Sequence, residues 1–543
     1  MGDNEGPLKV NKKIESAAYE VSSLLRLRRI ATTKPDAATA VSSTNFFSAT
    51  EEAAEEPPEE EPVTPCGRLF CEPNMSCYIM CILGFKNLIN LPEFKQALKE
   101  TLVKHKRFHS VMTKNAKGID VWVATEVDID AHVFEPSGFL EEDLAAPHFV
   151  EAYVVDLASA PPMSFSRPLW ACHILNGTSG DAAAHMVVRV HHSLGDGTSL
   201  MSLLLACTRR VDQPNMLPSV PAKRKNLKAD PPSSLLSSLW KTLILVRNTM
   251  IGLSYYFATI LWVKDSDTRI KGHQGVERAP KSLMYTVIDI DDMRLVKDAV
   301  NGTINDVLMG IIGAGLHQYL EESRGKNTKT DGVTQIQPTM QNGVSSHRKT
   351  TLNLSHLRIR ATALQNTRMT PGLQELATMM EGGSQKQWGN RLGYLIFPIS
   401  VQHFSDPLDH VRAAKRTSDR MKASLEGAFT YWSGALLMAM TGPPQVARLT
   451  EHTTLQTTMA VSNVPGPMEP VMFGGNPIVL IYPTAAGQPS SLSILFQSYV
   501  GKACLVAMTA RDLIPDPGTL CQCMADALQE MKRAVISRRQ DLN

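Results

Sequence analysis

The sequence predicts an α/β protein of two globular lobes, and three observations predict it. Apolar stretches of strand length are interleaved with amphipathic stretches at helical spacing. Such mixtures lie on both sides of residues 211–235, a segment with five prolines and the cluster Lys223-Arg224-Lys225 that reads as a linker. The 543 residues allow two to four domains at roughly 150 residues each. The boundaries are then an acidic head over 1–61, a first lobe over 62–213, a linker over 214–281 and a second lobe over 282–543.

Residues 1–61 carry seven Lys/Arg against twelve Asp/Glu and end in the run Glu51–Glu61. Apart from a short helix over Ala17–Arg29, this composition buries too little apolar area to offset ordering entropy, which predicts a disordered head. The first lobe opens with an apolar strand over Cys77–Phe85. Leu91–Leu102 follows as an amphipathic helix with Pro92 in its first turn. Ile119–Val127 and Ala183–Val190 read as strands, and Thr198–Cys207 is apolar enough for a buried helix. In the second lobe, strands are expected at Leu283–Ile290, Thr457–Asn463, Ser491–Val500 and Cys504–Thr509, with Leu392–Val401 apolar and Gly501-Lys502 as a hairpin turn. Helices are expected at Ile304–Ser323, Pro407–Leu425 and Asp516–Val535.

Leu243–Val263 has Arg247 as its only charge, and its 21 residues at about 1.5 Å each could cross a hydrocarbon core of about 30 Å. A crossing would put the two lobes on opposite sides of a membrane. An interfacial helix beside the basic segment Lys223–Lys228 fits better, and a buried core helix stays open.

Lys+Arg 55 against Asp+Glu 53 leaves +2 overall, too little basic excess for a nucleic-acid binder. Nine cysteines, with Cys77, Cys81, Cys207 and Cys504 inside apolar runs, and a polar N-terminal segment argue for a reducing compartment rather than secretion. Outside secretion, the acceptor triplet Asn176-Gly177-Thr178 has no meaning. The gaps among Cys66, Cys71, Cys77 and Cys81, and the Cys521-x-Cys523 pair, fit no zinc site, so no metal is expected.

The chemistry concentrates in His191-His192-Ser193-Leu194-Gly195-Asp196-Gly197, between a strand and a helix. A histidine near pKa 6.5 accepts a hydroxyl proton at neutral pH, and a strand end aims it rigidly. Asp196 can orient the loop or pair with an arginine, while Gly195 and Gly197 permit a tight turn. This suits deprotonation of an alcohol as it attacks an activated acyl carbon. A metal reading lacks a third ligand cluster, a serine hydrolase would need Gly-x-Ser-x-Gly, and an ordinary loop with satisfied histidines remains open.

His191–Gly197 fits the HHxxxDG signature of CoA-dependent acyltransferases. Six further segments, in the family's order from about residue 62 to 530, resemble plant-type bifunctional wax ester synthase/diacylglycerol acyltransferases: Arg68-Leu69-Phe70, Lys104–Phe108, Arg167–Trp170, Asn305–Leu308, Gly389–Tyr394 and Ser462–Pro467. The resemblance implies a two-lobed chloramphenicol-acetyltransferase-like fold with an active-site tunnel between the lobes. Acyl-CoA would enter from one face, as substrate rather than cofactor, and a long-chain alcohol or diacylglycerol from the other. His192 would be the general base, His191 would shape the pocket, Asp196 would hold the loop through a charge pair and Gly197 would permit the turn. No covalent acyl-enzyme is implied.

Asn305-Asp306 opens a helix whose amide could donate to the oxyanion, with a plain helix cap as the alternative. Ser462 and Asn463 could line the tunnel, and Arg167–Trp170 reads as scaffold. A membrane lipid surface is the implied partner. The implied location is the endoplasmic reticulum membrane with the catalytic lobes facing the cytosol, or the cytosol with peripheral attachment. Two departures stand out: Gly195 where the family favours an apolar residue, and no apolar strand within Asp331–Arg360 ahead of Asn366-Thr367-Arg368. A soluble acyltransferase of the HxxxD type acting on another alcohol or amine would bring an Asp-Phe-Gly-Trp-Gly segment, which is missing, and a dihydrolipoamide acyltransferase core would bring a lipoyl domain. A non-catalytic acyl-CoA or lipid binder that kept the fold is the third alternative.

Overall fold

A computed structural model of the chain describes residues 60–219, 235–330, 356–368 and 388–542. The Ala17–Arg29 helix, the acidic head up to residue 59, the Lys223–Lys228 cluster and residues 331–355 lie outside the described residues.

Among the described residues the strands in chain order are β1 (Glu61–Pro62), β2 (Tyr78–Phe85), β3 (Ser110–Lys114), β4 (Asp120–Ala124), β5 (Val133–Phe134), β6 (Trp170–Leu175), β7 (Ala184–His191) and β8 (Arg209–Arg210). They continue as β9 (Lys281–Asp289), β10 (Ile359–Asn366), β11 (Leu392–Ile399), β12 (Met459–Val464), β13 (Val471–Phe473), β14 (Asn476–Ala486), β15 (Leu492–Tyr499) and β16 (Lys502–Ala510). Helices α1 (Leu91–Glu100), α2 (Gly197–Cys207), α3 (Leu235–Leu261), α4 (Ile304–Thr330), α5 (Leu408–Lys422), α6 (Glu426–Thr441), α7 (Pro443–Leu455) and α8 (Pro517–Leu542) pack around them.

The first sheet runs β5-β6-β7-β2-β14-β13-β8 and the second β11-β10-β12-β15-β16-β9, with β1-β4-β3 as a small third sheet. β2 is apolar along its whole length because it sits inside the first sheet, antiparallel to β7 on one side and β14 on the other. In the second lobe α4, α5 and α8 bury their apolar faces against β10, β12, β15 and β16 in one continuous core.

The structure corrects the sequence reading in five places. Glu61 is not part of a detached head: it sits in β1 and its carboxylate pairs with the buried Arg107 guanidinium at 2.5 Å. The boundary at residue 282 divides the chain but not the sheets, since β13 and β14 leave the second lobe to complete the first sheet. Pro465-Gly466-Pro467 ends β12 and releases the chain, and Pro477 and Pro483 hide β14 from a strand pattern. β13 pairs only with the start of β14, so Pro483 costs no ladder bond on that side. The strand missed ahead of Thr367 is β10, which begins only at Ile359. The hairpin turn falls at Val500-Gly501, with φ of 47° and 75°, and Lys502 already belongs to β16.

The fifth concerns the bounds of the apolar helix, which runs over Leu235–Leu261 rather than Leu243–Val263. α3 is not a core helix: it lies along the second lobe, with Asn248 Nδ2 donating to the Ala423 carbonyl at 3.2 Å and Thr249 Oγ1 accepting from the Leu425 N–H at 2.9 Å. Its outer face leaves Leu236, Leu239, Trp240, Leu243, Val246 and Met250 exposed. Its C-terminal end is held by the fully buried Arg360, whose guanidinium reaches Asp265 Oδ1 at 2.5 Å, Thr259 Oγ1 at 2.5 Å and the Val263 carbonyl at 3.0 Å. All nine cysteines lie among the described residues and are unpaired thiols.

Candidate active site

β7 is an interior strand, which gives the residues after it a fixed exit direction. His192 follows at the start of a 3₁₀ turn, with its N–H donating to the Cys77 carbonyl of the neighbouring chain segment at 2.9 Å. Its ring stacks on Phe70 at 4.0 Å between centroids. Nδ1 lies 3.1 Å from Asn390 Oδ1. The Asn390 amide cannot be turned the other way, because its Nδ2 donates to the His192 carbonyl at 2.8 Å and to the Ser193 carbonyl at 3.4 Å. Nδ1 therefore carries the ring proton, and Nε2 carries the lone pair that a general base requires. Burial lowers the His192 pKa below the usual 6.5 and outweighs the contributions of Asp196 and Asn390, so the ring is neutral at pH 7.

Asp196 is the N-cap of α2, accepting from the Ser199 N–H at 2.9 Å, and its other oxygen meets Arg368 Nη1 at 2.7 Å with both side chains buried. Arg368 Nη2 also donates to Ser199 Oγ at 3.0 Å and to the Gly389 carbonyl at 2.5 Å. Asp196 thus ties the loop to the segment that carries Asn390. His191 points elsewhere: its Nδ1 accepts from the Ser193 N–H at 3.3 Å, its ring meets Tyr78 edge-on, and burial pushes its pKa down to about 3.

The two glycines act differently from expectation. Gly195 has φ 172°, plain extended backbone, and Gly197 does not take a left-handed φ, so neither makes a turn that only glycine allows. They are needed for closeness. A Cβ on Gly197 would stand 2.8 Å from Val464 Cγ2 of β12, and one on Gly195 would stand 3.3 Å from the Trp388 ring.

A cavity of about 840 Å³ runs between the lobes. Phe70, Ile79, His192 and Gly197 line it from the first lobe, while Asn305, Leu364, Ser462 and Asn463 line it from the second. Asn305 Oδ1 accepts from Asn463 Nδ2 at 2.5 Å, which leaves the Asn305 amide nitrogen as a donor at the cavity wall. Asp306 is a correction: it turns away and closes a capping box. Its Oδ2 accepts from the Thr303 N–H and hydroxyl, both at 2.8 Å, while its own N–H donates to Thr303 Oγ1 at 3.3 Å. Arg167–Trp170 is scaffold, with Leu169 and Trp170 buried and the indole N–H donating to the Phe108 carbonyl at 2.9 Å.

Residues 83–308 match the family model described as the wax ester synthase/diacylglycerol acyltransferase catalytic domain, and residues 388–532 match the corresponding WS/DGAT C-terminal domain. Wax ester synthase/diacylglycerol acyltransferase 5 of Arabidopsis thaliana is 37% identical over 497 residues, covering 88% of this chain and 94% of that protein. The chain belongs to this family. A second Arabidopsis member, wax ester synthase/diacylglycerol acyltransferase 6, is 35% identical with the same coverage of both chains. Among solved structures, the wax ester synthase/diacylglycerol acyltransferase from Marinobacter aquaeolei VT8 superposes with a TM-score of 0.50 at 16% identity, over 88% of this chain and all of that one. Trichothecene 15-O-acetyltransferase from Fusarium sporotrichioides does so at 0.50 and 12% identity, over 87% and 95%. At that distance the two structures establish the two-lobed α/β acyltransferase fold.

Within this family member the resembling segments converge on one loop. Phe70 stacks on His192, Asn390 fixes its tautomer, and Val464 closes on Gly197. Sequence reasoning missed Asn390 and Arg368 as individual residues. Asn390 lies inside the family-like segment Gly389–Tyr394, with no chemistry of its own to mark it. For Arg368 the signal was the expected charge partner of Asp196, but many arginines compete for that place.

Proposed function

We propose that this protein moves a long-chain acyl group from acyl-CoA to the hydroxyl of a long-chain fatty alcohol, giving a wax ester, or of diacylglycerol, giving triacylglycerol, with His192 as general base. The observation that carries this is the neutral, buried His192 whose Nε2 lone pair is fixed by Asn390 at the wall of an apolar interlobe cavity. The acceptor hydroxyl gives its proton to Nε2 as its oxygen bonds to the thioester carbonyl carbon. The carbonyl oxygen takes the negative charge, where the Asn305 amide can donate to it. Collapse re-forms the carbonyl and expels CoA, whose sulfur takes the proton back from His192. Asp196 acts through position, as the α2 cap and the partner of Arg368. No cofactor is part of this scheme.

The protein docks on a lipid surface, the cytosolic face of the endoplasmic reticulum membrane. Support comes from the exposed apolar faces of α3 and α6, which carry Trp240, Leu243, Met250, Trp432, Leu436 and Met440. The same two helices wall the cavity through Phe257, Ile260, Phe429 and Leu436, so lipid would pass between bilayer and site beside them. The attachment of α3 along the second lobe argues for lying on the membrane rather than crossing it.

Purified protein given labelled palmitoyl-CoA with hexadecanol or diacylglycerol is expected to form wax ester or triacylglycerol. His192→Ala should lose roughly 10²–10⁴-fold in kcat. Unchanged turnover in that variant would overturn the assignment of the base.

A further inference from the structure

Behind the catalytic loop lies a second cavity of about 100 Å³, walled mainly by the first lobe with Val464 and Gln497 of the second, and lined by apolar side chains and thiols apart from Gln497. Its floor is the face of β2 and β7 where Cys81 and Val188 stand directly opposite each other in register. Leu200 and Leu204 of α2 form its roof. These four residues sit in the middle of the lobe yet are only half-buried, whereas Ile82, Val187 and Leu203 beside them are at most 1% exposed. All four line this space. Packed interiors rarely leave such a gap, and an apolar gap stays dry and accepts hydrocarbon.

The small cavity shares walls with the large one at Ile79, Gly197, Val464 and Pro483. Ile79 and Cys81 point to the same face of β2, and successive side chains on that face lead from the large cavity to the small one. Glycine at 197 keeps the partition thin. A Cβ there would stand 2.8 Å from Val464 Cγ2, so the Val464 side chain alone occupies the gap between loop and β12. We propose that this cavity receives the distal end of one long aliphatic substrate chain, which runs past Gly197 and Val464 into the first lobe. It would act as the depth gauge for that chain. This rests on the acyl-transfer reading above, and either the acyl or the alcohol chain has the chemistry to enter.

Two substrate series given to the full-length protein separate these sources: acyl-CoA thioesters of graded length with hexadecanol, and alcohols of graded length with palmitoyl-CoA. Val188→Phe fills the cavity from its floor, and Leu204→Ala deepens it. In one series Val188→Phe should lower kcat/KM for the longest members at least tenfold while short members keep their rates, since a methylene is worth about 10–200-fold. Leu204→Ala should move the optimum of the same series to longer chains, and the unaffected series identifies the chain that lies elsewhere. Length profiles in both series that superimpose on the parent, or fall equally at every length, would overturn the proposal. The same ladders read by ligand-induced melting shifts in His192→Ala test the cavity without turnover. A length limit there that Val188→Phe shortens supports it, and a limit indifferent to Val188→Phe and Leu204→Ala refutes it. Failure of the parent protein to acylate any acceptor would count against the acyl-transfer reading instead.

Discussion

In the proposed mechanism Asn390 sets which nitrogen of His192 acts as the base, so replacing it should change both the rate and the pH at which the enzyme works. Asn390→Ala removes the acceptor of the Nδ1 proton and the donor to the His192 and Ser193 carbonyls. Leaving a buried polar group unpaired costs about 1–3 kcal/mol, a factor of about 5–150 in kcat/KM. Asn390→Asp keeps the shape but places a carboxylate 3.1 Å from Nδ1. At an effective dielectric near 20, opposite charges about 4 Å apart attract by about 4 kcal/mol, equivalent to about 3 on the pH scale.

The sign is fixed. In the parent, burial holds the His192 pKa below 6.5, and activity should fall only as the pH drops beneath it. In Asn390→Asp the imidazolium is favoured, its pKa rises, and the acid limb moves upward toward or past neutrality. Initial rates of palmitoyl-CoA and hexadecanol consumption from about pH 5 to 9 measure this. Asn390→Ala is the control, with lowered rate and no upward move. An Asn390→Asp profile that superimposes on the parent, or an Asn390→Ala enzyme at full rate, would refute the assignment of the Nε2 lone pair.

Arg368→Ala strands the buried Asp196 carboxylate and should destabilise the protein by about 3–5 kcal/mol, read as a lowered melting temperature, with activity lost through loop disorder. Asn305→Ala should lower kcat by about 10²–10³-fold at little change in stability, as loss of an oxyanion donor. Asp306→Ala should do the reverse, costing about 1 kcal/mol or more in denaturant unfolding while kcat is retained, because its carboxylate caps α4 and faces Lys422 of α5 at 3.7 Å, away from the cavity. Trp240→Glu with Trp432→Glu, on the exposed faces of α3 and α6, should release the protein from sedimenting anionic vesicles. Retention of both variants on vesicles would remove those helices from the docking surface.

Long apolar runs made β2, β7, β15 and β16 readable, and the HHxxxDG loop marked where chemistry lies. The lobes were legible as mixtures of strands and helices, but not the exchange of β13 and β14 between them. Pairing across the lobes is a long-range choice, and two prolines disguise β14. α6 escaped because its apolar residues cover most of its circumference, which erases helical periodicity. In the site, His192 declared itself by its chemistry. Asn390 lies 198 residues further along the chain and acts only by where the second lobe delivers it. Gly197 was visible, yet its reason was misread, since a sequence shows a glycine but not the valine pressed against it.

β14 also has a mechanical meaning. From Ile478 to Ala486 it is laddered to β2 in the first sheet, while the chain arrives from β12 through β13 and leaves into β15, and β12 and β15 both belong to the second sheet. The lobes are stitched, and they cannot swing apart like jaws without tearing a row of backbone hydrogen bonds. The stitched seam also fixes the cleft in which Asn390 of the second lobe meets His192 of the first. A chain cut between the two family domains should for the same reason give halves that fold only together, since the first sheet needs β13 and β14 from the second half and the second sheet needs β9 from the first.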